Sequence, residues 1–230
     1  MNEIPSDASY EITPIAVMES EFPEKFGIPR QPRLVNGLES RIVFLPEFRN
    51  EDALRGIEGY SHLWLIWQFS ANLKKEFSPT VRPPRFGGNQ RMGVFATRSP
   101  FRPNSLGLSC VKLERIEHEK ERGAVLIVSG ADLMNGTPIF DIKPYVPYSD
   151  CIPEAAEGFA VLPERRLRVE FSEGVLEKIP EEKRETVTEL LQCDPRPSYQ
   201  RDPERMYGMS FSGMNIKFKV RENLLTVYDV

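Results

Sequence analysis

SHLWLIWQF, residues 61–69, is the most apolar run in this 230-residue chain. It falls well short of the roughly 20 apolar residues that a membrane span needs. Its two tryptophans, its length and its flanks favour a buried central strand. Other short runs surround it. YEITPIAVM (10–18) predicts a strand, with Pro14 setting an edge position or a strand start. RIVFL (41–45) predicts a second strand, stopped by Pro46, and RMGVFA (91–96), GLSCVKL (107–113) and AVLIVSGA (124–131) predict three more. Asn135-Gly136 supplies a tight turn before PIFDI (138–142). The segment between 19 and 34 holds Pro23, Pro29 and Pro32, so it reads as a loop, and NEDALRGI (50–57) reads as a short helix capped by Asn50. Short strands joined by Gly/Pro loops, with little helix between them, point to a mainly β fold, an antiparallel barrel or sandwich.

After Tyr148 the pattern changes, and a boundary is placed near residues 150–162, where PEAAEG (153–158) reads as a connector. This divides the chain into a β-barrel at 10–155 and a small C-terminal α+β extension at 160–230. In the extension, PERRLRVEF (163–171) reads as a strand, and 172–193 has apolar residues at helical spacing, broken or restarted at Pro180. A hairpin follows, with MNIKFKV (214–220) and LLTVYDV (224–230) joined by a turn near Glu222-Asn223.

Composition excludes several classes. Apolar and charged fractions are those of an ordinary folded protein. The N-terminus lacks the basic n-region and apolar core of a secretory signal, and three widely spaced cysteines make no disulfide framework, a pattern that fits a reducing cytoplasm. With two histidines and no paired Cys or His at ligand spacing, no metal site is expected. No G-x-G-x-x-G, Walker loop or G-x-S-x-G elbow occurs, which argues against a Rossmann nucleotide site.

The charge distribution is more informative. The net charge is −4, yet no acidic residue occurs from Phe77 to Leu113. RPPRFGGNQRMGVFATRSPFR (82–102) carries Arg82, Arg85, Arg91, Arg98 and Arg102. Planar guanidinium forks suit carboxylates and phosphates, so the stretch reads either as an anion site or as a solvated basic loop. Three further segments combine polar side chains with constrained backbone: Pro29-Arg30-Gln31-Pro32, Tyr60-Ser61-His62, and 130–145, which sets Asp132, Thr137, Asp141 and Lys143 around the Asn135-Gly136 turn. Asp132 and Asn135 could equally serve turn backbone, and His62 could be a rim histidine.

PRQP (29–32), YSHLWLI (60–66), RPPRFGGNQRMGVFATRSPFRPNSLGLS (82–109) and DLMNGTPIFDIKPY (132–145) together resemble the blocks of the TsaA-like (YaeB-like) family, in that family's order. DPRPSY (194–199) resembles the C-terminal extension of its bacterial members. The resemblance implies a homodimeric β-barrel that binds S-adenosylmethionine outside any Rossmann fold and methylates N6 of threonylcarbamoyladenosine beside the tRNA anticodon. Carried onto this chain, the cofactor contacts fall at Arg30, Gln31, Pro32, Ser61, His62, Arg98, Leu108, Asp132, Asn135, Gly136, Thr137 and Pro138. The acceptor is a ureido-type nitrogen, and a carboxylate could take its proton; Asp132 and Asp141 are the candidates. Arg82, Arg85, Arg91 and Arg102 are candidates for tRNA phosphates and for the threonyl carboxylate. Two alternatives stay open: a non-catalytic RNA-binding barrel stacking bases on Trp64, Trp67 or Phe86, and a phosphoester-binding or hydrolysing enzyme built on the same arginines.

Overall fold

A computed structural model describes residues 9–72, 78–83, 90–159, 166–197, 200 and 202–230. Chain order gives β1 (Ala16–Glu19), β2 (Glu39–Phe44), β3 (His62–Gln68), a small pair β4 (Thr80–Val81) and β5 (Met92–Gly93), then β6 (Leu106–Glu119), β7 (Gly123–Ser129) and β8 (Pro138–Pro144). Six of these pair antiparallel in the order β1-β2-β7-β6-β3-β8, and β8 returns to β1, which closes the barrel. A four-residue helix, α1 (Pro147–Asp150), follows. Beyond it lie β9 (Arg168–Phe171), α2 (Glu181–Gln192), β10 (Tyr207–Phe211), β11 (Met214–Arg221) and β12 (Leu224–Asp229). Their sheet runs β10-β11-β12-β9, and β9 joins β12 in parallel, an exception to the antiparallel rule elsewhere.

β3 lies between β6 and β8, the central place that its apolar sequence predicts. Its strict alternation puts Leu63, Leu65 and Trp67 inside and leaves His62, Trp64, Ile66 and Gln68 outside. The inner side chains meet Met18, Ile42 and Leu126 in the barrel core. A second core, around Phe211, Phe218, Ile179 and Leu190, takes in Phe22, Val35 and Leu38 from the loop between β1 and β2. That loop is therefore shared between the barrel and the C-terminal sheet. Lys183 of α2 pairs with Glu21 at 2.5 Å, and Asn36 N–H donates to Glu189 at 2.6 Å.

Several expected elements change. The 10–18 strand shortens to Ala16–Glu19, since Pro14 has no N–H to extend the ladder. The 50–57 helix is a 3₁₀ turn over Glu51–Leu54, although Asn50 caps it as expected by accepting from Asp52 N–H at 3.0 Å. RMGVFA forms no barrel strand. Only Met92–Gly93 is extended, paired with Thr80–Val81, and Val94–Ala96 coils into a 3₁₀ turn. Arg102 holds that turn by donating to the Val94 and Thr97 carbonyls at 3.2 and 2.7 Å. β6 runs six residues past the expected end, because its charged second half pairs across the outer surface: Arg115 bridges Glu39 and Glu117, and Arg41 meets Glu19, Glu117 and Glu119. Pro180 does divide the 172–193 segment, separating a 3₁₀ turn at Leu176–Lys178 from α2. Part of the expected 163–171 strand, residues 163–165, lies outside the described residues.

One packing constraint reaches the functional region. Trp67 stands opposite Gly107 across the β3–β6 ladder, and a Cβ at position 107 would lie 2.3 Å from the indole ring. Only a hydrogen there lets the ring lie over β6. Gly107→Ala is expected to displace Trp67 and destabilise the fold by about 1–3 kcal/mol, the usual cost of overpacking. Urea denaturation, with tryptophan emission reporting the indole environment, checks this.

Candidate functional site

Four stretches distant in sequence converge at one end of the barrel. β7 ends at Ser129, and Gly130 turns the chain with φ +74°. The Gly130 carbonyl accepts from Arg33 N–H at 2.9 Å, and a Cβ on Gly130 would come within 3.2 Å of Arg33 Cα. This close approach docks the 29–33 loop on the 130–132 segment. Gln31 Oε1 then accepts from Arg98 Nη1 at 2.5 Å, which ties the arginine-rich stretch to the same place. Arg30 Nη2 donates to the Arg196 carbonyl at 2.9 Å. Arg196 is itself fixed to Asp194, with Nε–Oδ1 at 2.8 Å and Nη2–Oδ2 at 2.9 Å. The C-terminal turn after α2 thus braces the PRQP loop.

Asp132 lies at the centre of this convergence. Its Oδ1 accepts from Ser109 Oγ at 2.6 Å, and Ser109 Oγ accepts from Trp67 Nε1 at 3.0 Å. Burial pushes the Asp132 carboxyl up to about 6; the Ser109 hydrogen bond, its own backbone N–H and the Arg98 charge pull the other way without overcoming the desolvation. A carboxyl that titrates near neutrality in a partly accessible position suits a proton acceptor.

Asp141 is different. It faces outward opposite Ile66, accepts from Ile142 N–H and pairs with Lys143 at 3.1 Å on an exposed surface. The structure thus separates two carboxylates that the sequence left equivalent.

The other candidates divide. Leu108 is next to Ser109 but on the opposite face of β6, with its side chain 56% exposed. Asn135–Pro138 forms the expected turn, and much of its polarity is used internally. Asn135 Oδ1 accepts from Ser20 N–H, Gly136 N–H donates to Met18, and Thr137 Oγ1 donates to Met134. His62 borders the docked 29–33 loop, since its partner Lys112 pairs with Ser129 and the Arg33 charge acts on the imidazole. His62 pairs with Lys112, three residues or roughly 10 Å along β6 from Ser109. Its Nδ1 lies 2.9 Å from Ser61 Oγ, and burial, then Arg33 and Lys112, push its pKa down.

Among the tRNA-phosphate candidates, Arg82 and Arg91 are exposed, whereas Arg102 is committed to backbone carbonyls and lies 5.8 Å over the Phe95 ring. Arg85 and Phe86 lie outside the described residues, as do Ser198 and Tyr199 of the DPRPSY block. Sequence reading passed over Ser109 and the polar edge of Trp67. The one sequence signal for them is the Gly107-x-Ser109 spacing, which acquires meaning only once the register with β3 is known.

The Asp132 titration has a consequence for stability. Its folded pKa of about 6 exceeds the ordinary 3.8, so between these values the native state holds a proton that the unfolded chain releases. The stability this contributes is fully present below about pH 4 and is lost as pH rises through about 6. Asp132→Asn should remove the dependence and exceed the wild type by about 1–3 kcal/mol above about pH 7. Urea midpoints measured across this range check the sign.

The N-terminal domain model of tRNA-methyltransferase O matches residues 17–151, and the corresponding C-terminal domain model matches 164–230. A tRNA (adenine(37)-N6)-methyltransferase of Escherichia coli K12 is 38% identical over 94% of this chain and 95% of its own length. A putative S-adenosylmethionine-dependent methyltransferase, RcsF, of Pseudomonas aeruginosa is 42% identical over 96% of this chain and 98% of its own. A crystal structure of TrmO from P. aeruginosa superposes with a TM-score of 0.79 at 34% identity, covering 100% of this chain and 98% of that one. The chain belongs to the tRNA-methyltransferase O family.

Proposed function

We propose that this protein transfers a methyl group from S-adenosylmethionine to N6 of threonylcarbamoyladenosine at position 37 of tRNA, with Asp132 as the proton acceptor. The observation that carries the reading is the convergence of Gln31, Arg98 and a half-buried Asp132 whose carboxyl is raised to about 6. In this reading residues 10–155 form the cofactor-binding barrel, and 160–230 form the extension that braces its PRQP loop.

The donor set suits the cofactor's chemistry. Arg98, its guanidinium steered by Gln31, offers a fork for a carboxylate. Asp132 supplies the negative charge that a sulfonium or ammonium favours. When bound, S-adenosylmethionine supplies an electrophilic methyl on a positively charged sulfur. The protein's part is to position the acceptor nitrogen and to take its proton. Asp132 does the second as a carboxylate, so activity rises with pH through about 6. Asp141, exposed and paired with Lys143, is the weaker candidate.

Exposed Arg82 and Arg91 serve tRNA phosphates and the threonyl carboxylate, and each phosphate neutralised steepens the salt dependence of binding by about 0.7–0.9 log units per log unit of salt. Arg102 works indirectly by holding the Val94–Ala96 turn that follows Arg91. Such an activity belongs in the cytoplasm with its tRNA. A homodimer is part of the same proposal. Leu108 lies on the outer face that also carries Trp64, and Trp64 Nε1 donates to Asp150 of α1, which bears exposed Tyr148. Large apolar side chains left open on one face suit a second copy.

Labelled methyl transfer to tRNA with and without the threonylcarbamoyl group tests the substrate; equal transfer to both would remove the modified base from the proposal. Asp132→Asn should lower kcat by about 10²–10⁴-fold while Asp141→Asn changes it little. For the assembly, Leu108→Glu is expected to shift sedimentation equilibrium from dimer towards monomer.

A further inference from the structure

We propose that Trp67 and Ser109 are positioning residues for methyl transfer, a buried two-step hydrogen-bond chain that aims one proton at Asp132 and keeps its carboxylate in a single orientation. The inference rests on the reading of Asp132 as proton acceptor and extends it to two side chains that never meet a substrate.

The direction of the chain follows from donor inventories. An indole N–H can only donate, so Ser109 Oγ accepts from Trp67 at 3.0 Å. The hydroxyl has one proton, and the acceptor at 2.6 Å is Asp132 Oδ1, so the proton goes to the carboxylate. Without the indole the hydroxyl would be free to rotate away. Both relay residues are out of reach of bulk water, at 6% exposure for Trp67 and 1% for Ser109, so solvent cannot replace either bond. The geometry is built from several sides. β3–β6 register sets Trp67 against Gly107 and Leu65 against Ser109, which places both relay side chains on the inner face. Gly107 leaves the space that the indole occupies, and Phe69 packs against the ring with centroids 4.3 Å apart.

The relay has a chemical role. Oδ1 is occupied by the Ser109 hydroxyl, which leaves Oδ2 as the oxygen to meet the acceptor N–H. A charge-assisted bond also favours the ionised form against the desolvation of the site. Arg98, reaching in from the arginine-rich stretch, is the charged side chain acting on Asp132 from the other side. Burial raises the carboxyl, and the Ser109 hydrogen bond and the Arg98 charge act in the opposite direction, towards the ionised form a base needs.

The test uses full-length protein with Ser109→Ala and Trp67→Phe, each checked for retained fold by circular dichroism. Carbon-13 NMR of labelled aspartate follows the Asp132 carboxyl in the free protein, assigned by its loss in Asp132→Asn. Ser109→Ala should raise the titration midpoint by roughly one pH unit, and Trp67→Phe should raise it by less. The rising limb of the kcat–pH profile should move by the same amounts, with KM for tRNA unchanged. If Ser109→Ala fails to fold, Trp67→Phe carries the test, because it keeps an aromatic side chain in the core and lacks the indole donor. Midpoints unchanged in the folded variants would overturn the relay. Midpoints that move while the kcat profile stays in place would support the relay and overturn Asp132 as the base.

Discussion

Closure of the barrel at the short β1–β8 pairing stitches together two segments more than a hundred residues apart in sequence, and the functional region depends on that seam. The pairing itself is brief, with Ala16 against Ile139 and Val17 against Pro138. The polar groups on either side extend it. Gly136 N–H donates to Met18, Ser20 N–H to Asn135 Oδ1, Ser20 Oγ to Leu133 and Asn135 N–H to Phe22. Further along, Arg33 N–H reaches Gly130. The loop that carries Arg30 and Gln31 is therefore pinned at both ends to the segment that carries Asp132. A loop rich in proline has little conformational entropy to lose, so a handful of such bonds suffices to order it.

The same seam explains why one loop serves two cores. Phe22, Val35 and Leu38 leave the barrel to pack with Phe211, Ile179 and Leu190, so the C-terminal sheet holds the PRQP loop from behind. Arg196 completes the support by offering its carbonyl to Arg30 while its guanidinium is locked to Asp194. Loosening the C-terminal region should therefore disturb Gln31 and Arg98 before it disturbs the barrel ladders, which close on themselves without its help.

Legibility in the sequence followed the reach of each interaction. β3, the β11–β12 hairpin, the Asn135-Gly136 turn and the break at Pro180 rest on local periodicity or backbone chemistry, and each was readable. RMGVFA misled because its apolar alternation is real, while its fate is decided by Arg102 reaching back to the carbonyls of Val94 and Thr97. The far half of β6 was missed for the opposite reason. Its charges look like loop until Arg41 and Glu39 of β2 reach across β7 to Glu117, Glu119 and Arg115. β10 escaped because YGMSF carries a weak alternation whose partner strand had been read without it. Asp132 and Asp141 differ by nine positions and one strand; nothing local distinguishes them, and only the register that brings Ser109 inward does.

Arginine does two kinds of work here, and the division resolves the charge anomaly. Arg41, Arg102 and Arg196 are half-buried brackets whose forks close on carboxylates or carbonyls, a use for which five fixed donors are better suited than an ammonium. Arg82 and Arg91 project into solvent from the stretch that has no acids. Arg98 stands between the two uses, one nitrogen held by Gln31 and its charge felt by Asp132. An acid in this stretch would compete for these guanidinium groups and weaken the positive charge that favours the ionised form of Asp132. The absence of acid from Phe77 to Leu113 thus serves Asp132 as well as the surface, because the same positive charge that attracts an anion from solution also favours the ionised form of a carboxyl nearby.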